Sequence, residues 1–255
     1  MKRITARSKV IFFLLLAMSI TYLYPWGYML VRSFLRHEPG LSDGQGLFTF
    51  EYYRLVLGNA GFPTYAWNSF IVLAAVLLAN VVFSIMVGYA FSRYHFPFKK
   101  TLFWLVLATL MVGLQNTLWA IILPFCVDGF NLFLVKQYID GLPRDLEEAA
   151  RVDGCGEVEI LWNVIFPLAR PAIAVLVINT SIMTWNSFLF PLILTDTAEV
   201  RTLPVALAMF SQGPHATDWG ALMAGATVSS LPIIAVFWLF QKEIIEGITS
   251  GALKE

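Results

Sequence analysis

The sequence predicts an all-α polytopic membrane protein. It predicts six transmembrane helices, the third and fourth unusually short, and a helix–turn–helix platform on the cytoplasmic side. Three observations carry that expectation. The 255 residues are 58% hydrophobic and only 13% charged, about half the charged share of an ordinary soluble domain. Several apolar runs reach roughly 20 residues, the length that crosses a hydrocarbon core about 30 Å thick. One charged segment, 141–170, interrupts them, and five of the chain's 17 acidic residues (Glu147, Glu148, Asp153, Glu157 and Glu159) lie in its part 147–170.

The elements follow in chain order. The first apolar run, 10–31, comes after Lys2, Arg3, Arg7 and Lys9. It is a full span and lacks a small-x-small cleavage site, so it reads as an uncleaved helix and not as a signal peptide. In the loop 32–68, "FTFEYYRLVLGNAGF" gives a short amphipathic helix carrying Tyr52, Tyr53, Leu55, Val56 and Leu57 and ending at Gly58. The second span is 69–91. The run 101–135 has 35 residues and one charge, Asp128; two spans with a turn need roughly 40–45 residues, and one span about half that. Basic residues decide between them. With two crossings, 13 of the 17 Lys and Arg fall on the side of the N-terminus, and only Arg32, Arg36, Arg54 and Arg201 on the other. With one crossing the split is eight to nine. The positive-inside rule therefore selects two short spans, 101–115 and 116–135, broken near "GLQN", with both termini cytoplasmic. The last spans are 171–195 and 221–240. The loop 196–218 holds "RTLPVALAMF", read as interfacial packing.

The charged segment "GLPRDLEEAARVDGCGEVEILWNVIFPLARP" reads as two helices. Pro143 suits a first turn, and Asp145, Glu147 and Glu148 complement the positive helix N-terminus. Gly154 suits a left-handed position just past the helix end. Leu146, Ala149, Ala150 and Asp153 share one face at i, i+3, i+4, i+7. The second helix carries the stripe Val158, Leu161, Trp162 and Ile165 and is expected to end before Pro167 and Pro171. A charge run is usually a solvated loop. An alanine-lined face favours a docking surface only modestly over that.

The stretch "EEAARVDGCGEVEILWNVIFPLARP" resembles the EAA loop of permeases from binding-protein-dependent ABC importers. Glu148, Ala149, Ala150, Gly154 and Pro167 match that pattern, and Val164 and Phe166 replace its Ile and Leu. "TWNSFLFPLIL", "TLPVALAMF", "TDWGALMAGA", "LPI" and "GITSGALK" are similar to the carbohydrate-type branch. The resemblance covers the chain from about the first span onward. It implies a single permease domain, 1–255, in a bacterial or archaeal cytoplasmic membrane. It also implies an ATPase-docking helix built from Leu146, Glu147, Glu148, Ala149, Ala150, Asp153 and Gly154. In that role Glu148 pairs with a basic group of the ATPase, the alanines permit close approach, and Gly154 sets the turn. The implied partners are two ATPase subunits, a second and different permease chain, and an extracytoplasmic solute-binding protein. The solute is a sugar or a related polyol or oligosaccharide. The family has two full spans where this chain has 101–135, about fifteen residues more by span length.

This chain itself is expected to be no enzyme and to bind no cofactor. It contains no G-x-x-x-x-G-K-[ST], and none of its seven lysines follows a glycine. ATP and Mg belong to the ATPase. The two cysteines and three scattered histidines make no metal pattern. A zero formal net charge gives no field for nucleic acid. For the solute path, Trp185, Asn186 and Phe188 in the fifth span combine aromatic faces with an amide, which suits a sugar. Asp128 and Asn131 in the fourth are costly in lipid. Asp128 either lines the path or pairs with Lys136. Thr180, Ser181 and Ser187 read as helix–helix hydrogen bonding. The rivals are a shortened permease with an assembly role and an ion-driven secondary transporter, for which Asp128 is the one intramembrane ionisable group.

Overall fold

A computed structural model describes residues 6–36, 48–58, 61–94, 115–210 and 219–252. The described residues are helical, with one antiparallel bridge, Leu35 to Phe48, and no strand. The predicted third span, 101–115, falls almost wholly outside them. The helices are α1 (Ala6–Ser33), α2 (Glu51–Gly58), α3 (Phe62–Arg93), α4 (Leu118–Ile122, continuing as a 3-10 turn Leu123–Phe125) and α5 (Gly129–Asp140). Then come α6 (Asp145–Val152), α7 (Glu157–Leu168), α8 (Arg170–Trp185), α9 (Leu189–Leu194), α10 (Leu203–Phe210) and α11 (Trp219–Ala252).

Among the described residues, four stretches are long and apolar enough to cross a membrane: Lys9–Ser33, Phe62–Arg93, Leu118–Asp140 and Trp219–Lys242. A fifth arises only if α7 and α8, bent by 78° to each other, count as one. By itself α8 is 16 residues, or about 24 Å at 1.5 Å per residue. The apolar chain resumes as α9 after a break at 186–188, so the expected unbroken span 171–195 is two helices. The stretch Leu118–Asp140, at the place of the predicted fourth span, runs beyond the expected end at residue 135. Lys136 and Asp140 pair one turn apart on α5, which lets the helix continue past the apolar run.

The chain forms two compact units. One comprises Met1–Pro63 and Ala206–Ser230. In it α1 exposes nearly its whole apolar surface, as a helix solvated by lipid or covered by another chain does. Ser19 and Thr21 satisfy their hydroxyls on the carbonyls of Leu15 and Ala17. The end of α1 is tied to α2 by Phe34 stacked on Phe48 at 5.1 Å and by Ser33 Oγ at 2.7 Å from the Tyr53 hydroxyl. The expected amphipathic helix forms and ends at Gly58, burying Tyr52 and Val56.

The other unit comprises Thr64–Val205 and Leu231–Glu255. Its main core joins Ile85 and Tyr89 of α3, Val135 and Ile139 of α5, Ala150 of α6, Ile160, Leu161 and Ile165 of α7, and Ile173, Leu176 and Val177 of α8. At Gly88 a Cβ would lie 3.2 Å from Val135 Cγ1, so α3 and α5 cross closely there. A second cluster packs Val72 and Val76 against Ile121 and Ile122. Between α4 and α5 the helix breaks at residues 126–128. A break in an apolar stretch must satisfy its freed backbone internally. Asn80 of α3 does so, donating to the Phe125 carbonyl.

Candidate functional site

The charged segment folds as a helical corner. Acidic Asp145, Glu147 and Glu148 occupy the first turn of α6, where they complement the helix dipole. The helix ends as the glycine spacing requires. Gly154 has φ +89°, Gly154 N–H donates to Arg151 O at 3.1 Å, and Cys155 N–H to Ala150 O at 3.0 Å. That pair of bonds is the Schellman closure, and an L side chain at 154 would be strained. Glu159 restarts the chain as α7 by accepting from Gly156 N–H at 2.8 Å.

The second helix does not end before Pro167. It widens into a π turn over Leu161–Ile165, continues through Phe166–Leu168, and breaks at Ala169. Pro167 has no N–H for the carbonyl four residues back, and its ring crowds that carbonyl. The wider turn carries the backbone past the conflict.

Leu146, Ala149, Ala150 and Asp153 line one wall of an open groove of about 450 Å³, and Asn163, Val164, Pro167 and Leu168 line the other. These four positions of α6 are the shared face read from the sequence. Glu148 and Gly154 are exposed and do not line it; Glu148 lies about 200° from Leu146 around the helix. Glu147 is placed differently from that reading. It is buried, and Arg93 at the end of α3 donates to it at 2.6 Å; the two side chains are 3% and 6% exposed. Residues 146 and 147 are about 100° apart around a helix, so one cannot share the outer face when the next turns inward.

Around this pair lies a wider network. Arg93 also donates to the Leu142 carbonyl at 3.3 Å, in the turn before α6. Arg151 lies 3.8 Å from Glu147 and donates to Glu157 at 2.8 Å. The Tyr89 hydroxyl donates to Glu157 at 2.9 Å, and Ser92 donates to Asp140 at the end of α5. The Arg151 guanidinium, and next the Tyr94 hydroxyl, hold the Glu157 carboxyl down to about 2. Sequence reasoning passed over Arg93. Its one signal was an arginine closing an apolar run, which also fits an ordinary positive-inside residue.

The five solute-path positions separate. Asp128 is an N-cap, accepting from Asn131 N–H at 2.8 Å. It does not pair with Lys136, whose partner is Asp140. Asn131 is 1% exposed. It donates to Thr180 Oγ1 at 2.9 Å and to Asn80 Oδ1 at 3.3 Å, and it accepts from Asn179 at 3.1 Å. That satisfied cluster ties α3, α5 and α8 together and leaves Asn131 no free face. Thr180 is thus a helix–helix hydrogen-bonding residue. Trp185 is buried. Asn186 and Phe188 remain exposed at the break after α8, with the Asn186 amide donating to Ile182 O at 2.9 Å.

Residues 56–246 match the family described as the inner membrane component of binding-protein-dependent transport systems. The arabinooligosaccharides transport system permease protein AraQ of Bacillus subtilis is 32% identical over 268 residues, covering 96% of this chain and 94% of that protein. The trehalose/maltose transport system permease protein MalG of Thermococcus litoralis is 33% identical, covering 93% of each. The fold is similar to one chain in the crystal structure of a bacterial ABC transporter involved in the import of the acidic polysaccharide alginate. There the TM-score is 0.76 at 22% identity, over 95% of this chain and 98% of that one.

Proposed function

The chain belongs to the inner membrane components of binding-protein-dependent transport systems, the permeases of ABC importers, and from that premise we propose that it forms part of a sugar path and seats a separate ATPase on α6. The groove between α6 and α7 is the observation that carries the docking half of this reading. Its α6 wall is small and apolar at Ala149 and Ala150, so a partner's backbone can approach closely. Glu148 is exposed on another side of α6, outside the groove, and offers a carboxylate there to a basic group. Glu147, turned onto Arg93, is left out of the docking set. In this reading α6 and α7 lie on the cytoplasmic side, the chain spans the membrane six times, and both termini are cytoplasmic. ATP and Mg are held by the ATPase chains, a different permease chain completes the path, and an external binding protein delivers the solute.

A sugar or oligosaccharide is the solute class that the relatives support, since AraQ is named for arabinooligosaccharides and MalG for trehalose and maltose. Within the path, exposed Asn186 and Phe188 are the contacts we keep from the sequence reading. An amide beside an aromatic ring suits hydroxyls on an apolar sugar face.

Docking is tested by co-purification of the ATPase chain with the membrane complex. Glu148→Ala and Gly154→Pro are each expected to cut the recovered ATPase several-fold while leaving the permease chains together. Proline cannot adopt the φ of +89° found at 154. Full recovery of the ATPase with both variants would refute docking at α6. For the path, Asn186→Ala is expected to reduce uptake of the transported sugar with ATPase recovery unchanged, and wild-type uptake would remove Asn186 from it.

A further inference from the structure

The covalent route from the α6–α7 corner into the next span is a poor lever. It passes through the π turn, Pro167, the break at Ala169 and a bend of 78°. Such interruptions are where helices flex. A second route is direct and buried. Arg93 is the last residue of α3, and its guanidinium meets Glu147 of α6 at 2.6 Å with both side chains out of water. The same guanidinium holds the Leu142 carbonyl, so it grips both α6 and the turn that leads into it. Arg151 and Glu157 extend the contact to α7.

We propose that Arg93 and Glu147 are positioning residues of the transport cycle: their ion pair locks α6 to the end of α3, so that displacement of the docked helix reaches the second span as a rigid movement. The inference rests on the docking reading and goes beyond it, because Glu147 and Arg93 act away from the docking face. A planar guanidinium bound to a carboxylate resists both sliding and rotation. An apolar contact of the same area resists sliding far less, which is the physical reason for placing a costly buried charge pair at this joint.

The test uses the full chain in the complex with which it purifies, with Cys126 and Cys155 replaced by serine. Spin labels are placed at Val152→Cys on α6 and Met86→Cys on α3, both exposed and neither lining the groove. Pulsed electron resonance reads the distance between them without nucleotide and after trapping with Mg-ATP and vanadate. With the native pair the distribution is expected to be narrow and to shift by less than about 2 Å between the two states. Glu147→Gln is expected to broaden it and let it shift on trapping. The exchanged pair Arg93→Glu with Glu147→Arg is expected to restore the narrow distribution, which also controls for misfolding of the single variant. A native distance that shifts by about a helical turn, near 5.4 Å, overturns the proposal. So does a Glu147→Gln distribution as narrow as the native one, or an exchanged pair as broad as the single variant. Absence of an ATPase chain from the complex counts against docking alone, because the nucleotide-free comparison of the native pair with the two variants still reads the joint.

Discussion

Glu147 and Glu148 are adjacent, identical in type and opposite in environment. One is buried on Arg93 and the other is exposed. Periodicity placed Leu146, Ala149, Ala150 and Asp153 on one face correctly, since they are defined by local spacing alone. It was silent on which acid turned inward, because that depends on a partner 54 residues earlier. Asn131 gives the same lesson. As an isolated polar residue in an apolar run it suggested a solute contact, yet three neighbours from two other helices consume its hydrogen bonds. Asn131→Ala strands the Asn179 amide and costs about 1–3 kcal/mol. Thermal unfolding of the purified chain in detergent is expected to show that loss, whereas Asn186→Ala, with its exposed side chain, leaves the melting temperature nearly unchanged.

At the scale of elements, the corner between α6 and α7 is held by charge and by backbone closure. The Glu157 carboxyl sits at about 2, below its ordinary value of 4.5. A depressed carboxylate stabilises the folded form above its unfolded pKa, and that contribution is lost as pH falls through the folded one. The contact between Arg151 and Glu157 is therefore expected to be complete above about pH 4.5 and to weaken from there down to about pH 2. Hydrogen exchange of the 145–160 peptide is expected to accelerate over that range in the wild type and not in Glu157→Gln. Helix contacts elsewhere depend on absent side chains. In the first unit a Cβ on Gly220 would overlap Cε2 and Cζ of the Tyr52 ring, whereas one on Gly225 meets mainly the terminal Cδ2 of Leu207. A ring buried by its neighbours cannot yield as a methyl group can. Gly220→Ala is expected to cost about 1–3 kcal/mol and Gly225→Ala clearly less, as read by thermal unfolding.

For the whole molecule, sidedness is the property on which the proposed function turns. Two crossings by 101–135 put residue 155 and the N-terminus on one side and residue 196 on the other. With Cys126 replaced by serine, a membrane-impermeant maleimide is expected to label Cys155 only from the side that exposes an N-terminal tag. A cysteine introduced at Asp196, in a background lacking Cys155, is expected to react only from the opposite side. Labelling of Cys155 only from the side opposite the N-terminal tag, with residue 196 labelled from the side of the tag, would mean a single crossing and would count against docking at α6. The sequence by itself determined that the chain is helical and membrane-embedded, where the apolar helices Lys9–Ser33, Phe62–Arg93 and Trp219–Lys242 lie, and that a charged corner closes at Gly154. Those properties follow from local composition, run length and one φ-demanding glycine. Only the tertiary structure decided that α5 outlasts its apolar run, that α8 breaks at Asn186, that Asp128 caps α5 while Asn131 ties it to α3 and α8, and that Glu147 belongs to Arg93. Each of those outcomes depends on where a polar group finds its partner: for Asn131 and Glu147 it comes from another helix about 50 residues away, and for Asp128, Lys136 and Asn186 from three or four residues along the chain.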